Sequence, residues 1–347
     1  MTGHSTGPDR QDEILPMEID HRHFRSAMGE LEHGDRRREQ PCEYGSVKMH
    51  ADQVDITVIT VAGLVSSQFP SWSGLSIRPV PSDGTVNALF RLGDEIVLRF
   101  PLQPSLDTEH RAALVREQDN AGRIARHVTV EVPEPVAIGE PGAGYPGPWT
   151  AFRWIDGEPP SVDTIDDPDG FARDLASFVQ ALHTIDTEGR RWDGQGRGGP
   201  LVAHDGAVRR CLAESTGLTD TIRLEVAWTR CVAAASADEG GDGTAGTWIH
   251  ADLMPGNLLV RYGRLAAVID LGSVCVGDPA VDLMPAWSIF SAGARSVYRD
   301  ALHVDDATWE RGRGWAIVQA IVALPYYIET NPGMARTAQR TLEAVLE

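Results

Sequence analysis

The chain divides into three regions that differ in their pattern of hydrophobic and polar positions. Residues 1–48 contain only 12 apolar residues and show no sustained periodicity, which predicts a disordered leader, with Met49 a candidate alternative start. Between about 75 and 154, short apolar runs separated by turn residues predict strands. Beyond residue 156, apolar residues recur mainly at helical spacing. We therefore expect residues 49–155 to form one lobe and residues 156–347 a second, mainly helical one.

The strand-rich region contains one hairpin signal and one helix signal. Two strand-like segments, 87–92 and 95–100, flank a Gly93-Asp94 turn. The helix predicted over 107–127 places Glu117 on the same stripe as its apolar residues. A glutamate facing the core needs a cationic partner.

Composition and charge exclude several classes of protein and disfavour some classes of partner. The 347 residues are 42% hydrophobic, which excludes a disulfide miniprotein, a collagen and a wholly disordered chain. The 31 basic and 50 acidic residues give a net charge of −19, which disfavours nucleic acid and anionic membranes as partners and favours cationic small molecules. Lys48 is the only lysine among the basic residues.

The four cysteines are scattered without metal-ligand spacing, and the longest uncharged apolar stretch, 315–328, has 14 residues. That stretch is shorter than a membrane span. We therefore expect a soluble protein of the reducing cytoplasm.

The most informative stretch for chemistry runs from Trp248 to Gly272. Within it, Asp252 follows His250 by two residues, Asn257 follows five residues later, and Asp270 comes 13 residues after the asparagine. Phosphoryl transfer needs a carboxylate to orient and deprotonate the attacking hydroxyl and hard oxygen ligands to hold Mg²⁺. Two predicted strands, joined by a turn at Gly263, bring these polar residues to one end of a hairpin.

This pattern, continued by Gly277-Asp-Pro-Ala-Val-Asp-Leu, resembles the aminoglycoside phosphotransferase family of kinase-like antibiotic and small-molecule kinases. The resemblance implies a protein-kinase-like two-lobed α+β fold. Its N-lobe would hold a small five-stranded antiparallel sheet and a helix, and its larger C-lobe would be mainly helical. It also implies transfer of the γ-phosphate of ATP or GTP, with Mg²⁺, to a small-molecule hydroxyl.

The same resemblance implies roles for the motif residues. Asp252 would be the catalytic base and His250 a support for the catalytic loop. Asn257 and Asp270 would be the magnesium ligands. Ala251 replaces the glycine usual in the family, a small-for-small change.

For the nucleotide, the resemblance implies a lysine on the third strand paired with a glutamate on the first long helix. No lysine follows Lys48, and the strand position holds Arg99. Arginine keeps the charge, although its planar fork differs from a point ammonium. Glu117 is the expected partner, with Glu109 as the rival.

Two further segments are expected to contact the nucleotide. Ser82, Gly84 and Asn87 lie in the loop between the first two predicted strands, where kinases cover the phosphates. Trp154 and Ile155 occupy the hinge position, where backbone groups would bind the nucleobase. Their side chains could equally belong to the core.

Candidates for the acceptor side are Asp282, Tyr326 and Glu329. Asp282 has the alternative of stabilising the catalytic loop, and the tyrosine patch the alternative of belonging to the core. Asp278 is expected to cap the helix that follows Pro279, and His183 to be a satisfied helix residue.

The acceptor itself stays open among several classes. An aminoglycoside is the first choice, because the protein is acidic. Macrolide or nucleoside antibiotics and metabolic alcohols such as choline or homoserine would use the same catalytic residues. Clustered carboxylates in the second-lobe cleft would favour aminoglycosides, whereas apolar and aromatic walls would favour macrolides or nucleosides. A nucleotide-binding pseudokinase regulator is the alternative of another class, and the oligomeric state is not determined.

Overall fold

The computed structural model describes residues 53–82, 84–161, 164–238 and 246–347. The predicted leader, 1–48, and the candidate start at Met49 lie outside the described residues.

The first lobe is built on a five-stranded antiparallel sheet, as the sequence predicts. Its strands run in the order β1-β2-β3-β5-β4, and the β2–β3 hairpin turns at Gly93. Helix α1 precedes the sheet, and α2 lies between β3 and β4. The bounds are α1 Val58–Gln68, β1 Ile77–Val80, β2 Asn87–Leu92, β3 Ile96–Pro101, α2 Thr108–Ile124, β4 Pro135–Gly139 and β5 Trp149–Arg153.

Aromatic packing holds the sheet against α1. The ring of Phe100 on β3 stacks on Trp149 of β5 at 5.1 Å and meets Tyr145 edge to face at 5.3 Å. The Tyr145 hydroxyl donates to the carbonyl of Pro101 at 2.9 Å. Such pairs add to the stability gained from buried area and fix the strand register.

Helix α2 is shared between the lobes. Asp107 caps it by accepting the N–H of His110 at 2.6 Å. Glu117 is buried on the side that faces the sheet, whereas Ala121 and Ile124 pack in the core of the second lobe. The helix therefore fixes Glu117 relative to both lobes.

The second lobe is mainly helical, as predicted. Its helices are α3 Pro168–His183, α4 Asp205–Glu214, α5 Thr221–Asp238, α6 Pro285–Ser288, α7 Ala292–Leu302, α8 Asp306–Tyr327 and α9 Pro332–Val345. The 14-residue apolar stretch lies almost wholly in α8, and in the described parts of the chain no helix is long and apolar enough to cross a membrane.

Two short antiparallel ribbons carry the chemistry-bearing segment. One pairs β6 (Thr247–Ile249) with β9 (Cys275–Gly277), and the other pairs β7 (Leu258–Arg261) with β8 (Arg264–Val268). The linker between the lobes lies directly on β7, because Glu158 bridges Val260 and a Cβ at Gly157 would come within 2.8 Å of Leu259. The hinge is thereby packed against the predicted hairpin.

His204 is among the titratable groups that are buried in the second lobe. His204 is 3% exposed, and its ring meets Trp315 of α8 at 4.9 Å. Burial, together with the charge of Arg197, lowers the pKa of His204 from 6.5 to about 4. Between these values the unfolded chain binds a proton that the native chain does not, so stability is present above pH 6.5 and is lost as the pH falls toward 4.

We expect His204→Phe, which keeps a ring against Trp315, to reduce this pH dependence. The loss of unfolding free energy between pH 6.5 and pH 4 should be smaller in the variant by about 3 kcal/mol. Chemical denaturation at the two pH values measures the difference. Equal pH dependence in both proteins would contradict the assignment.

Candidate active site

The catalytic loop, residues 250–257, is held from inside by one buried carboxylate. Asp282 is fully buried and accepts the backbone N–H groups of His250 and Ala251 at 3.0–3.1 Å. Its Oδ2 lies 3.1 Å from Nε2 of His183, so His183 is a satisfied helix residue, as predicted. The prediction that Asp282 contacts the acceptor is wrong, because the side chain supports the loop and does not reach the cleft.

His250 is also fully buried. Its Nε2 lies 3.1 Å from the carbonyl of Ile269, and its Nδ1 accepts the N–H of Asp252 at 3.2 Å. These contacts agree with a supporting role and leave no surface for direct contact with an acceptor. Ala251 has a φ of 66°, the left-handed region, which gives a physical reason for the family's glycine at this position.

Asp252 is oriented by two neighbours. Asn257 donates from Nδ2 to Asp252 Oδ2 at 3.0 Å and to the Asp252 carbonyl at 2.8 Å. Arg197 donates from Nη1 to Asp252 Oδ1 at 2.8 Å and to the Ala251 carbonyl at 2.9 Å. The Asp252 side chain remains 25% exposed. The carboxylate is thus fixed in direction but open to a small molecule.

A second cluster joins the lobes at the same place. Arg99 on β3 forms an ion pair with Glu117 on α2, and its Nη2 donates to Asp270 Oδ1 at 3.1 Å. Glu109, the rival partner, lies on the surface and pairs with Arg116. The predicted pairing of Arg99 with Glu117 is confirmed, and Asp270 is a third member that the sequence did not indicate.

Burial and neighbouring charges shift the pKa values of Arg99 and Glu117 in opposite directions. Burial lowers the pKa of Arg99, but the two carboxylates outweigh it and leave that pKa above its ordinary value. Burial raises the pKa of Glu117, and the charge of Arg99 opposes that rise. Arg99 therefore stays a cation.

The residues predicted to hold Mg²⁺ fit that ion by their chemistry. The backbone N–H of Ile269 donates to the Asn257 carbonyl at 2.9 Å, which sets Asn257 beside the end of β8 and Asp270. Among the described residues, neither the side-chain oxygen of Asn257 nor Oδ2 of Asp270 accepts a hydrogen bond. An amide oxygen and a carboxylate oxygen are the hard ligands that Mg²⁺ prefers.

The two segments predicted to contact the nucleotide lie after β1 and after β5. Ser82 and Gly84 lie between β1 and β2, Asn87 is the first residue of β2, and Ser82 Oγ accepts the N–H of Gly84 at 2.9 Å. At the hinge, the N–H of Trp154 already donates to the carbonyl of Glu95 at 2.7 Å. The Trp154 carbonyl and the backbone of Ile155 therefore stay the predicted contacts for a nucleobase at the hinge.

Tyr327, the neighbour of the predicted acceptor residue Tyr326, lies near the β1–β2 loop and Asp252. The Tyr327 hydroxyl forms a hydrogen bond with Thr85 of the β1–β2 loop, and the negative charge of Asp252 contributes to raising the pKa of Tyr327. Burial raises the pKa of Tyr327. Tyr326 packs edge to face on it at 4.6 Å, and Glu329 lies exposed beyond the end of α8.

Sequence reasoning missed Arg197, the closest charged neighbour of the candidate base. It lies in a Gly-rich loop, where no periodicity or motif marks a functional side chain. Only the chain path, which returns this loop to the catalytic loop, brings the two residues together.

Comparison with solved structures places the fold among known enzymes. The chain resembles the GDP and kanamycin complex of APH(2")-IIia with 19% identity and a TM-score of 0.56, over 81% of this chain and 96% of that one. It resembles the apoenzyme of macrolide 2'-phosphotransferase MphH from Brachybacterium faecium with 20% identity and a TM-score of 0.52, over 82% and 97%. These likenesses show the fold and confirm the predicted two-lobed α+β architecture.

A third solved structure, the GDP complex of wild-type aminoglycoside 2'-phosphotransferase-IIIa, matches with 18% identity and a TM-score of 0.57, over 82% of this chain and 96% of that one. A search of curated protein sequences finds no significant match. The model of the phosphotransferase enzyme family matches residues 76–315. That match spans both lobes, from Arg99 and Glu117 to the catalytic loop, Asp270 and Asp282. The chain therefore belongs to the phosphotransferase enzyme family.

Proposed function

We propose that this protein transfers the γ-phosphoryl group of ATP or GTP to a hydroxyl group of a small molecule, with Mg²⁺ as cofactor. One observation carries the proposal. The carboxylate of Asp252 is held open to the cleft by Asn257, while Asp270 is tied to the Arg99–Glu117 pair. A base, oxygen ligands and a phosphate-facing cation thus meet between two lobes.

The chemistry follows from these groups. The acceptor oxygen bonds to the γ-phosphorus, the bond from that phosphorus to the β-phosphate oxygen breaks, and the hydroxyl proton passes to Asp252. Bound by Asn257 and Asp270, Mg²⁺ would supply neutralisation of the phosphate charge. Arg99 would contact the phosphates and Asp252 would orient the acceptor.

For the acceptor, we propose an antibiotic, with an aminoglycoside as the first candidate. The net charge of −19 attracts polycations at long range, and two similar structures are kanamycin and gentamicin complexes. A macrolide is the second candidate, because other similar structures are macrolide 2'-phosphotransferases. Phosphorylation of the drug would confer resistance. The proposed location is the cytoplasm, where nucleoside triphosphates are abundant.

Acceptor-dependent release of nucleoside diphosphate tests the activity directly. With Mg-ATP and Mg-GTP over aminoglycosides, macrolides, nucleoside antibiotics and metabolic alcohols, we expect turnover with one class. Asp252→Asn keeps the size of the side chain but removes the base, and should lower kcat by about 10²–10⁴-fold.

Asp278→Asn serves as the matched control, because Asp278 is an acid of the same lobe that caps the turn after it and pairs with Arg311. Nucleotide binding without turnover across the panel would argue for the pseudokinase alternative. Full activity of Asp252→Asn would refute the assigned base.

A second prediction concerns the nucleotide. Glu117→Gln removes the buried charge that fixes Arg99, so Arg99 should turn toward Asp270 alone and the Kd of the Mg-nucleotide should rise about tenfold. Isothermal titration measures the change. Glu109→Gln, on the same helix but exposed, should bind as the wild type does. Equal binding by all three proteins would show that the ion pair does not position Arg99 for phosphate.

A further inference from the structure

The strongest observation that the proposed function leaves unused is the arginine on Asp252. Arg197 lies in the loop 189–199, far in sequence from the catalytic loop, and its Nη1 bonds both to Asp252 Oδ1 and to the carbonyl of Ala251. The Arg197 side chain is 30% exposed. It is thus neither a buried structural ion nor a freely moving surface group.

The loop that carries Arg197 is anchored to the site. The N–H of Asp278 donates to the Gly198 carbonyl at 2.9 Å, and Cys275 Sγ lies 3.4 Å from the Arg197 carbonyl. A Cβ on Gly277 would come within 2.8 Å of the Gly198 Cα, so the two backbones are in direct contact. The backbone of Arg197 and Gly198 is therefore held against β9 and the residue that follows it.

Most N–H groups of the Arg197 guanidinium form no hydrogen bond with the described residues. Among the described residues, only Nη1 of Arg197 has hydrogen-bond partners. The Nε and Nη2 groups, which complete the planar fork, have no hydrogen-bond partner in the described parts of the chain. A planar fork with free N–H groups matches the oxygens of a phosphoryl group.

The site needs such a charge. Residues 250–257 of the catalytic loop include no lysine or arginine, and Met254 follows Asp252 by two positions. Arg99 already bridges Glu117 and Asp270. The catalytic loop itself therefore supplies no cation for the negative charge that develops on the γ-phosphoryl oxygens next to Asp252.

Reach supports the same conclusion. An acceptor oxygen that donates its proton to Asp252 lies about 2.6–3.2 Å from the carboxylate, and the phosphorus lies about 3–3.5 Å beyond it. Arg197 Nη1 lies 2.8 Å from the same carboxylate. The phosphorus would thus lie within about 7 Å of the carboxylate that the guanidinium contacts.

We propose that Arg197 is a catalytic residue of this reaction, with one arm orienting Asp252 and the free N–H groups contacting the phosphoryl group in transit. The inference rests on the proposed function. The acceptor oxygen bonds to the γ-phosphorus, its proton goes to Asp252, and the nucleoside diphosphate leaves, while Arg197 neither gains nor loses a proton. It acts as an arginine finger supplied by the same chain.

The test uses water as the acceptor, so that it does not depend on knowing the natural one. Single-turnover hydrolysis of Mg-ATP and Mg-GTP by the full-length protein is compared with that of Arg197→Met and Arg197→Lys. We expect the methionine variant to lose about 10³-fold in rate with the nucleotide Kd nearly unchanged. The lysine variant should fall between, because a point charge cannot hold Asp252 and the phosphoryl group together.

Two controls separate chemistry from structure. Arg190→Met removes an arginine of the same loop that pairs with Glu188 and not with Asp252, and it should leave the rate unchanged. In Arg197→Ala, added guanidinium ion, at concentrations that do not lower the melting temperature, should restore part of the rate. A merely structural role for Arg197 would not respond in this way.

Each outcome decides the inference. A wild-type rate in Arg197→Met overturns it, as does a loss that coincides with weaker nucleotide binding and is not rescued by guanidinium. If the wild-type protein transfers phosphate and so does Arg197→Met, the inference fails and the proposed function stands. If the wild-type protein neither binds nor cleaves the nucleotide, both fail.

Discussion

The guanidinium of Arg99 is the interaction on which the geometry of the site depends. It joins a carboxylate of the first lobe, Glu117, to a carboxylate of the second, Asp270. Without this cation, the buried Glu117 and the partly exposed Asp270 could not both stay ionised side by side, because two like charges at close range repel strongly in a low dielectric. The position of β3 relative to β8 is therefore coupled to an ion pair, and not only to apolar packing.

A second buried charge carries the catalytic loop. Asp282 is taken fully out of water, which is costly unless its oxygens are hydrogen-bonded. Two backbone N–H groups of the loop and the ring of His183 satisfy it. The loop keeps an alanine in a left-handed conformation because these bonds compensate for the strain. These bonds fix the backbone from which the Asp252 side chain extends.

The two arginines at the site illustrate how this chain uses its basic residues. With a single lysine near its N-terminus, the chain places Arg99 where the family resemblance implies a lysine, and the fork of arginine allows contact with two carboxylates at once. Arg197 contacts Asp252 and a backbone carbonyl through Nη1 alone. Only the geometry of Arg99, with one nitrogen on each carboxylate, is one that a point ammonium would not reproduce.

The sequence by itself determined the two-lobed fold, the β7–β8 hairpin and the grouping of Asp252, Asn257 and Asp270, because those depend on local periodicity and short spacing. It also indicated the partner of Arg99, since Glu117 stood out on an apolar helix face. Contacts between distant segments were decided only by the tertiary structure. The inward turn of Asp282, the Trp154 N–H bonded to Glu95 and the place of Arg197 on Asp252 arise from how separate loops and strands pack, which no local pattern encodes.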